Sequence, residues 1–399
     1  MTLTISQFVH PDDLRAAFCT ALSNMYRSEV PLYGDLVELV DEVNSKVTTA
    51  SPGLWEVGDR LRVERHGAIR LGRPCELAMI ARLFRLLGMF PVGYYDLSTS
   101  GVPVHATAFR PIDPASLDKH PFRVFTSLLR PELILDEQLR EQVEEILDAR
   151  DIFHPEVRVL IAKAEQEGGV RPEDKEQLVE KALETFKWHE AALVTQDVYE
   201  RMKRTHPLLA DIAGFKGPHI NHLTPRVLDI DMVQRMMAER GQVQHFCHEL
   251  YQTLMSQTGG LTPTDDNDKW QSRLSSIFSA FPDSWHILRT QRLAYFRYKV
   301  NPLPFNPPEC MSLDGLIEAG VVTYVPMVYE DFLPASAAGI FQSNLGEHEQ
   351  LTGQGNGSAQ GELEKHIGAG IVDYFDLYEQ AERDSLEEIG VKSFSLWGL

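Results

Sequence analysis

Residues 90–110 contain Phe90-Pro-Val-Gly-Tyr-Tyr95 and Val102-Pro-Val-His-Ala-Thr-Ala-Phe-Arg110, and these two segments decide the fold class. Aromatic and β-branched residues dominate both, and such residues favour the extended backbone of β-strands. Phe122-Arg-Val-Phe-Thr-Ser-Leu-Leu-Arg130 has the same character and predicts a third strand. The chain therefore contains the beginning of a β-sheet between residues 90 and 130.

Helical patterns surround these strands. Two amphipathic helices are predicted in residues 11–47, and another runs from Pro74 to Leu87, where Gly88 stops it. Further helices are predicted at 136–209, 231–255 and 373–389, a strand at 321–327, and either helix or strand at 285–300. The expected fold class is α+β, with a mixed β-sheet core surrounded by many helices.

The length suits one large domain, residues 1–399, with elaborations. Residues 1–130 supply N-terminal helices and the first core strands, 131–210 form a helical insertion, and 211–399 supply the remaining core and a C-terminal helix. A polar loop is predicted at 258–268. Residues 341–360 are rich in Gly, Ser and Asn and predict a loop long enough to act as a lid.

The formal net charge of −20 argues against a nucleic-acid surface and against binding to anionic membranes. It does not exclude a small anionic substrate, because a few buried arginines reverse the local potential. No apolar run approaches the length of a membrane span, and the N-terminus lacks the features of a secretory signal. The four cysteines are scattered without a CxxC pair. These features together predict a cytoplasmic protein.

Two polar clusters carry the chemistry. The segment 219–231 reads His219-Ile-Asn-His222-Leu-Thr-Pro-Arg226-Val-Leu-Asp229-Ile-Asp231, and its proline excludes a continuous helix. A second cluster, Val63-Glu-Arg-His66-Gly-Ala-Ile-Arg70, lies far away along the chain. Imidazoles bind metals and arginines bind carboxylates through two hydrogen bonds. The two clusters therefore predict a metal site that acts on a small acidic substrate.

Each candidate has an alternative role. His66 and Arg70 would share a face of a helix and would also converge in a loop, but a histidine near an arginine is more often structural. Asn221 can orient a neighbouring group. His219 is a second ligand from the same loop, a residue that contacts a ligand, or a residue of the core. His105, in an alternating strand, fits a core residue better than a ligand.

Two further segments are ambiguous. His245 and His248 are spaced like a zinc-binding pair on a helix, but Cys247 would point elsewhere, which favours an ordinary surface helix. Residues 331–344 contain a sharp turn followed by small side chains, which either admit a ligand close to the backbone or form a tightly packed turn.

Taken together, several segments closely resemble the 2-oxoadipate dioxygenase/decarboxylase family of iron(II) enzymes, which convert 2-oxoadipate to 2-hydroxyglutarate with loss of carbon dioxide. The segments are 63–70, 101–111, 121–130, 219–231 and 332–345. The resemblance covers most of residues 10–231 and 281–385. It implies a β-sheet core like that of the vicinal oxygen chelate enzymes, wrapped in helices.

The resemblance also implies roles for individual residues. His66 and His222 would be iron ligands, Arg70 would bind the distal carboxylate, and Ala335 and Ser336 would lie beside the substrate. The family usually has Val at the position of Ala335, which leaves the preferred chain length open. Two histidines and one carboxylate around Fe(II) leave positions for O₂ and for a chelating 2-oxo acid.

The chain departs from the family after His222. Members carry the third ligand, a glutamate, in a strand reading roughly Phe-Gly-Glu-x-Glu-x-Arg-Gly. Here the interval between Asp231 and Phe281 is several tens of residues shorter, and only Met236-Met-Ala-Glu239-Arg-Gly241 remains of that pattern. Glu239 is therefore the best candidate for the carboxylate ligand.

Three functions follow as hypotheses. The first is an Fe(II)-dependent dioxygenase/decarboxylase whose partners are a small 2-oxo dicarboxylate and O₂, with no nucleic acid and no membrane. The second is an inactive paralogue that keeps Arg70 and the Ala335–Ser336 loop and binds a dicarboxylate. The third is a metal-dependent hydrolase or lyase on the same core, which would turn over without oxygen.

Overall fold

The computed structural model describes residues 7–50, 61, 63–98, 101–239, 282, 284–301, 312–332 and 357–389. Contacts divide the chain into two compact units, Met1–Gly260 with Phe332–Ile371 and Leu261–Asp331 with Val372–Leu399. The predicted boundaries of a single domain with a helical insertion stay a prediction.

The described residues of the first unit form a five-stranded sheet and eleven helices. The strands are β1 (Glu64–Leu71), β2 (Phe90–Asp96), β3 (Val104–Arg110), β4 (Arg123–Leu129) and β5 (His222–Pro225). The helices are α1 (Pro11–Glu29), α2 (Pro31–Ala50), α3 (Pro74–Leu86), α4 (Pro114–Lys119), α5 (Glu137–Ala149), α6 (Pro155–Glu167), α7 (Lys175–Leu183), α8 (Gln196–Thr205), α9 (Pro207–Ala213), α10 (Ile230–Glu239) and, late in the chain, α13 (Gly357–Ile367).

The strands of this sheet lie in the order β2-β3-β4-β1-β5. β1 runs parallel to β4, whereas β2–β3, β3–β4 and β1–β5 are antiparallel pairs. The three strands predicted between residues 90 and 130 are confirmed, and so is the mixed sheet surrounded by helices. β1 is a strand rather than the helix or loop considered for residues 66–70.

A glycine shapes the edge of the sheet. The pairing of β2 with β3 shifts register between Val92 and Tyr94, which marks a β-bulge. Gly93 lies there with φ of 73°, in the left-handed region that side chains disfavour. The bulge explains why a glycine interrupts an otherwise aromatic strand.

Each face of the sheet packs against helices. On one face, Ile69, Leu71 and Val124 belong to a hydrophobic core that includes residues of α1, α3, α6 and α7. On the other face, Ala68 and Phe125 belong to a second core with residues of α5, α8 and α9. The predicted helical insertion therefore contributes to both faces.

The described part of the second unit contains helix α11 (Trp285–Thr290), strand β6 (Phe296–Val300), helix α12 (Leu313–Glu318), strand β7 (Val322–Pro326) and helix α14 (Tyr374–Glu388). β6 and β7 pair antiparallel. The segment 285–300 is thus a helix followed by a strand, and the strand at 321–327 and the helix at 373–389 are confirmed.

The predicted lid segment needs a correction at its end. Residues 357–360 belong to α13, where Ala359 and Leu363 are buried, so they are not part of a loop. Residues 341–356, like the polar loop at 258–268, lie outside the described residues. No helix among the described residues combines the length and the apolar character that a membrane crossing needs. Cys19 and Cys75, the two cysteines that the structure describes, are free.

Candidate functional site

The site lies on the face of the sheet opposite α1 and α3, where β1 and β5 pair. Side chains alternate along a strand, so His66, Ala68 and Arg70 of β1 point to the same face. Ala68 pairs with His222 of β5, and His66 pairs with Thr224. The antiparallel pairing therefore brings the two predicted ligands, which are far apart in sequence, onto one surface.

The imidazoles of His66 and His222 contact each other. Their ring centroids are 5.4 Å apart and their planes are nearly perpendicular, at 85°. The ring of Phe332 stands edge-on to His66 at 5.0 Å and also contacts Phe125 at 5.0 Å. Two imidazoles thus meet beside an apolar wall, at a separation that allows one nitrogen of each ring to face a shared ion.

Both imidazoles are neutral at physiological pH. Burial, followed by the charge of Arg123 and by the neighbouring His222 ring, holds the pKa of His66 well below its usual range. Burial and the nearby guanidinium of Arg70 lower the pKa of His222 to about 4. A metal binds the unprotonated form of imidazole. The surroundings therefore keep both side chains in the form that a metal needs.

His66 fits a metal in one further respect. His66 Nδ1 is buried and has no hydrogen-bond partner in the described part of the chain. Buried polar atoms are normally satisfied, and a nitrogen of this kind suits a metal bond. No group of three His, Cys, Asp or Glu side chains among the described residues is arranged to hold an ion. The described residues thus supply two histidines as candidate donors for a metal.

Arg70 is held by two side chains that the sequence did not link to it. Its Nη1 donates to Asp211 Oδ2 at 2.6 Å and to Asn221 Oδ1 at 3.1 Å. Asp211 belongs to α9, and Asn221 immediately precedes His222. Asn221 does orient a neighbouring group, as its position suggested, and that group is Arg70. Nothing in the local sequence around Asp211 indicates this contact.

A second arginine lies beside the histidines. Arg123 of β4 pairs with His66 across the parallel ladder and is only 1% exposed. Its guanidinium carbon lies 5.1 Å from the ring centre of Phe332. The sequence pattern of residues 121–130 indicates a strand and gives Arg123 no role, although an arginine inside an apolar strand is itself a signal of a buried charge.

Two other histidines have different surroundings. His219 Nε2 lies 3.8 Å from Asp211 Oδ1, and its ring stands edge-on to Trp188 at 4.5 Å. It forms no three-donor group with His66 and His222 among the described residues. His105 is buried on the opposite face of the sheet, beside Tyr94. It is therefore a buried residue of the sheet, and its Nδ1, like that of His66, has no hydrogen-bond partner among the described residues.

Several predicted residues lie outside the described residues. Ala335, Ser336 and the segment 245–249 are among them. Glu239 is the last residue of α10, whose Val233 packs against Leu39 and Val43 of α2. The Glu239 side chain is not among the described ones, and its role as a ligand stays a prediction.

Two neutral imidazoles and a guanidinium on one face of a mixed sheet define a candidate metal site for an acidic ligand. The model of the 2-oxoadipate dioxygenase/decarboxylase family matches residues 18–248 and 242–344. The 2-oxoadipate dioxygenase/decarboxylase of Escherichia coli K12 is 42% identical, over 95% of this chain and 98% of that protein. The protein of the same name from Pseudomonas putida is also 42% identical, over 96% of this chain and 97% of that protein.

The fold agrees with these matches. The crystal structure of hydroxyglutarate synthase from Pseudomonas putida in complex with 2-oxoadipate superimposes with a TM-score of 0.83. It is 40% identical and covers 96% of this chain and 98% of that chain. The chain therefore belongs to the 2-oxoadipate dioxygenase/decarboxylase family.

The comparisons also bear on the short interval after His222. The alignment with the Escherichia coli protein extends over 448 positions, more than the 399 residues of this chain, so this chain must carry gaps. The family match is split into two parts that meet at residues 242–248. This junction directly follows Glu239, where the sequence predicts that a segment of the family is missing.

Proposed function

We propose that this chain converts 2-oxoadipate and O₂ to 2-hydroxyglutarate and CO₂, with Fe(II) held by His66 and His222. The observation that carries the proposal is the contact between two neutral imidazoles from separate strands, with Arg70 close by, in a chain of this family. Glu239 is the proposed third ligand. When bound, Fe(II) would supply the redox chemistry that O₂ requires and would bind the 2-oxo acid as a chelating ligand.

The reaction balances without a further reductant. The terminal carboxylate next to the 2-oxo group leaves as CO₂, and the 2-oxo carbon becomes a new carboxylate that takes one atom of O₂. The other atom becomes the hydroxyl group on the adjacent carbon. The two electron pairs that reduce O₂ come from the broken carbon–carbon bond and from the hydroxylated C–H bond. Turnover with ¹⁸O₂ should therefore introduce two labelled atoms into the product.

The residues of the chain bind and orient the substrate. Arg70 would bind the distal carboxylate, because a guanidinium presents paired donors to two oxygens. Its Cα lies four residues from that of His66, about 13 Å along an extended strand. This spacing separates the recognition of the distal carboxylate from the reacting end. Phe332 and Phe125 exclude water beside His66, where a reactive centre needs protection.

The test is iron loading without oxygen, followed by oxygen uptake with 2-oxoadipate. Loss of a residue that only supports a metal ligand lowers metal affinity roughly 10- to 100-fold. We expect His66→Ala and His222→Ala, which remove proposed ligands, to lose at least this much affinity and to lose turnover. His286→Ala removes an exposed imidazole and should change neither quantity. Glu239→Ala should lose iron as well. Wild-type protein with full iron occupancy and no oxygen uptake would contradict the proposal.

A second candidate function is dicarboxylate binding without catalysis. The junction in the family match next to Glu239 favours it, because a missing ligand would remove the iron and leave Arg70 in place. It predicts that 2-oxoadipate raises the melting temperature of the metal-free protein, since a ligand of the native state stabilises it. Equal iron content in wild type and Glu239→Ala, with no oxygen uptake by either, would favour this second function.

A further inference from the structure

Asn221 has a buried donor that the fold leaves unused. Arginine can only donate, so the contact with Arg70 Nη1 fixes the amide with Oδ1 toward the guanidinium and Nδ2 away from it. Nδ2 is buried, and it has no hydrogen-bond acceptor among the residues that the structure describes. Leaving a buried donor unsatisfied is unfavourable, so an acceptor from outside the described residues is expected there.

The backbone holds Asn221 in this position. Its N–H donates to the Ala68 carbonyl at 2.9 Å, which extends the pairing of β5 with β1 beyond His222. Ile220 and Leu223 both belong to the core on the opposite face, whereas His222 and the amide of Asn221 serve the site face. The regular alternation of the strand is therefore broken at Asn221, and its amide is directed to Arg70.

Part of the Arg70 guanidinium is occupied by contacts within the protein. Nη1 carries two hydrogens, and Asp211 and Asn221 are the acceptors for this nitrogen, so Nη1 is committed to the protein. A carboxylate accepts hydrogen bonds at both oxygens and is bound most strongly by two adjacent donors. The guanidinium presents such a pair through Nε and Nη2. Asn221 Nδ2 belongs to a side chain already in contact with Nη1, and it would add a further donor to the same carboxylate.

From these contacts we infer that Asn221 Nδ2 donates a hydrogen bond to the distal carboxylate of the substrate, beside Arg70. Asn221 is then a specificity-determining residue for dicarboxylates over 2-oxo acids that end in a methyl group. The same side chain orients Arg70 through Oδ1, so it both positions the guanidinium and contacts the ligand. This inference rests on the proposed function for the identity of the substrate.

The test compares 2-oxoadipate with 2-oxohexanoate, which has the same chain length but no distal carboxylate. Asn221→Ala should lower kcat/KM for 2-oxoadipate by roughly tenfold or more, the factor expected for one hydrogen bond to a charged group. The change should appear mainly in KM, and kcat/KM for 2-oxohexanoate should stay within about twofold. Asn221→Asp keeps the shape but replaces the donor by an anion, so its loss with 2-oxoadipate should be larger.

The control is Asn44→Ala. Asn44 bonds the backbone of the loop after β5 through Arg226 O and Leu228 N, so its removal tests for structural disturbance alone. It should affect the two acids equally. If Asn221→Ala also lowers kcat/KM equally for both acids, or changes neither, the inference is overturned.

A binding measurement separates this inference from the proposed function. Thermal shifts of the metal-free protein with each acid need no turnover. A larger shift with 2-oxoadipate in wild type, reduced selectively in Asn221→Ala, supports the role of Asn221 even if the chain is catalytically inactive. Equal shifts with both acids in wild type would show that the distal carboxylate is not recognised and would reject the inference.

Discussion

The neighbours of each histidine distinguish it better than its pKa does. His66 and His222 face a surface with arginines nearby, and burial keeps both rings neutral. His105 is also buried and neutral, but it lies on the opposite face against Tyr94. A depressed pKa alone therefore does not identify a ligand. The contact between two imidazoles distinguishes the site.

A buried ion pair between Arg150 and Glu76 connects helix α3 to the segments that follow α5 and α9. Arg150 Nε donates to Glu76 Oε1 at 2.8 Å and Nη2 donates to Oε2 at 3.0 Å, with both side chains almost fully buried. Oε2 also accepts from the backbone N–H groups of Gly72 and Arg73 at the start of α3. The same guanidinium donates to the carbonyls of Ile212 and Phe215, beyond Asp211 of α9.

We expect Glu76→Gln to destabilise the protein by about 3–5 kcal/mol, because it leaves the Arg150 charge buried without its counterion. Urea unfolding at neutral pH measures the loss. Glu165→Gln is the matched control, since its pair with Arg82 is 38% exposed on both sides and should contribute at most about 1 kcal/mol. Similar losses in the two variants would contradict this expectation.

Single residues of the site were predictable only in part. His66, His222 and Arg70 stand out because histidines and arginines cluster there and because those clusters resemble a family. Asp211 carries no such signal, since a lone aspartate on a helix is ordinary, and only the fold brings it to Arg70. Arg123 was concealed by its neighbours, which define a strand.

At the scale of elements, the strands at the centre of the site were the hardest to predict. The side chains of β1 alternate between the two faces of the sheet, with Ile69 and Leu71 in the core. This alternation is hard to see in the sequence, because Gly67 has no side chain and Ala68 has a small one. β5 has only four residues and ends in proline, too short for a periodicity argument. The long helices and the apolar strands between residues 90 and 130 were predictable because their patterns repeat.

Gly67 sets the distance between β1 and β5. A Cβ there would lie 2.7 Å from Ile220 Cδ1, 3.0 Å from Leu223 Cδ2 and 3.2 Å from the His222 carbonyl oxygen. The last of these is backbone and cannot rotate away. We expect Gly67→Ala to displace β5, to cost about 1–3 kcal/mol of unfolding free energy, and to weaken iron binding roughly tenfold by misplacing His222.

The measurements are urea unfolding and a titration with Fe(II) under anaerobic conditions. Gly34→Ala is the control, because Gly34 lies in α2 with nothing within 4 Å of an added Cβ. That substitution should stabilise the protein by about 0.5–1 kcal/mol through helix propensity and leave iron affinity unchanged. Wild-type iron affinity in Gly67→Ala would show that β5 tolerates the extra methyl group.

At the scale of the whole molecule, the net charge of −20 coexists with buried arginines near the site. Arg110 and Arg123 are each 1% exposed on adjacent strands, and Arg70 lies on the same face. The local potential of a site is set by such near charges, since exposed charges are screened within about 10 Å at 0.1 M salt. An acidic protein can therefore recognise an acidic substrate.

Overall length also carried information. The interval after His222 was predicted to be short, and an alignment longer than the chain agrees with that prediction. How the short interval affects the proposed third ligand was not predictable, because the position of a carboxylate relative to two histidines depends on the path of the backbone.

Acid sensitivity of the fold follows from three further histidines, His105, His120 and His206. Burial is the main cause of a pKa of about 4 at His105, His120 and His206. The nearby charges of Arg130, Arg15 and Arg70, respectively, act in the same direction. Each side chain therefore stays neutral in the folded protein where it would be protonated in the unfolded chain.

Between pH 6.5 and about 4 the unfolded state binds more protons than the folded state, so the free energy of unfolding must fall as the pH is lowered through this window. Each of these histidines contributes a slope of up to about 1.4 kcal/mol per pH unit below neutral pH, and no slope above it.

Urea unfolding of the metal-free protein between about pH 7.5 and about pH 4.5 covers this window and measures the slope. His105→Leu should reduce this slope by up to the equivalent of one proton. A stability that stays constant down to pH 4.5, about where the folded forms begin to protonate, would mean that these rings already carry protons in the native state.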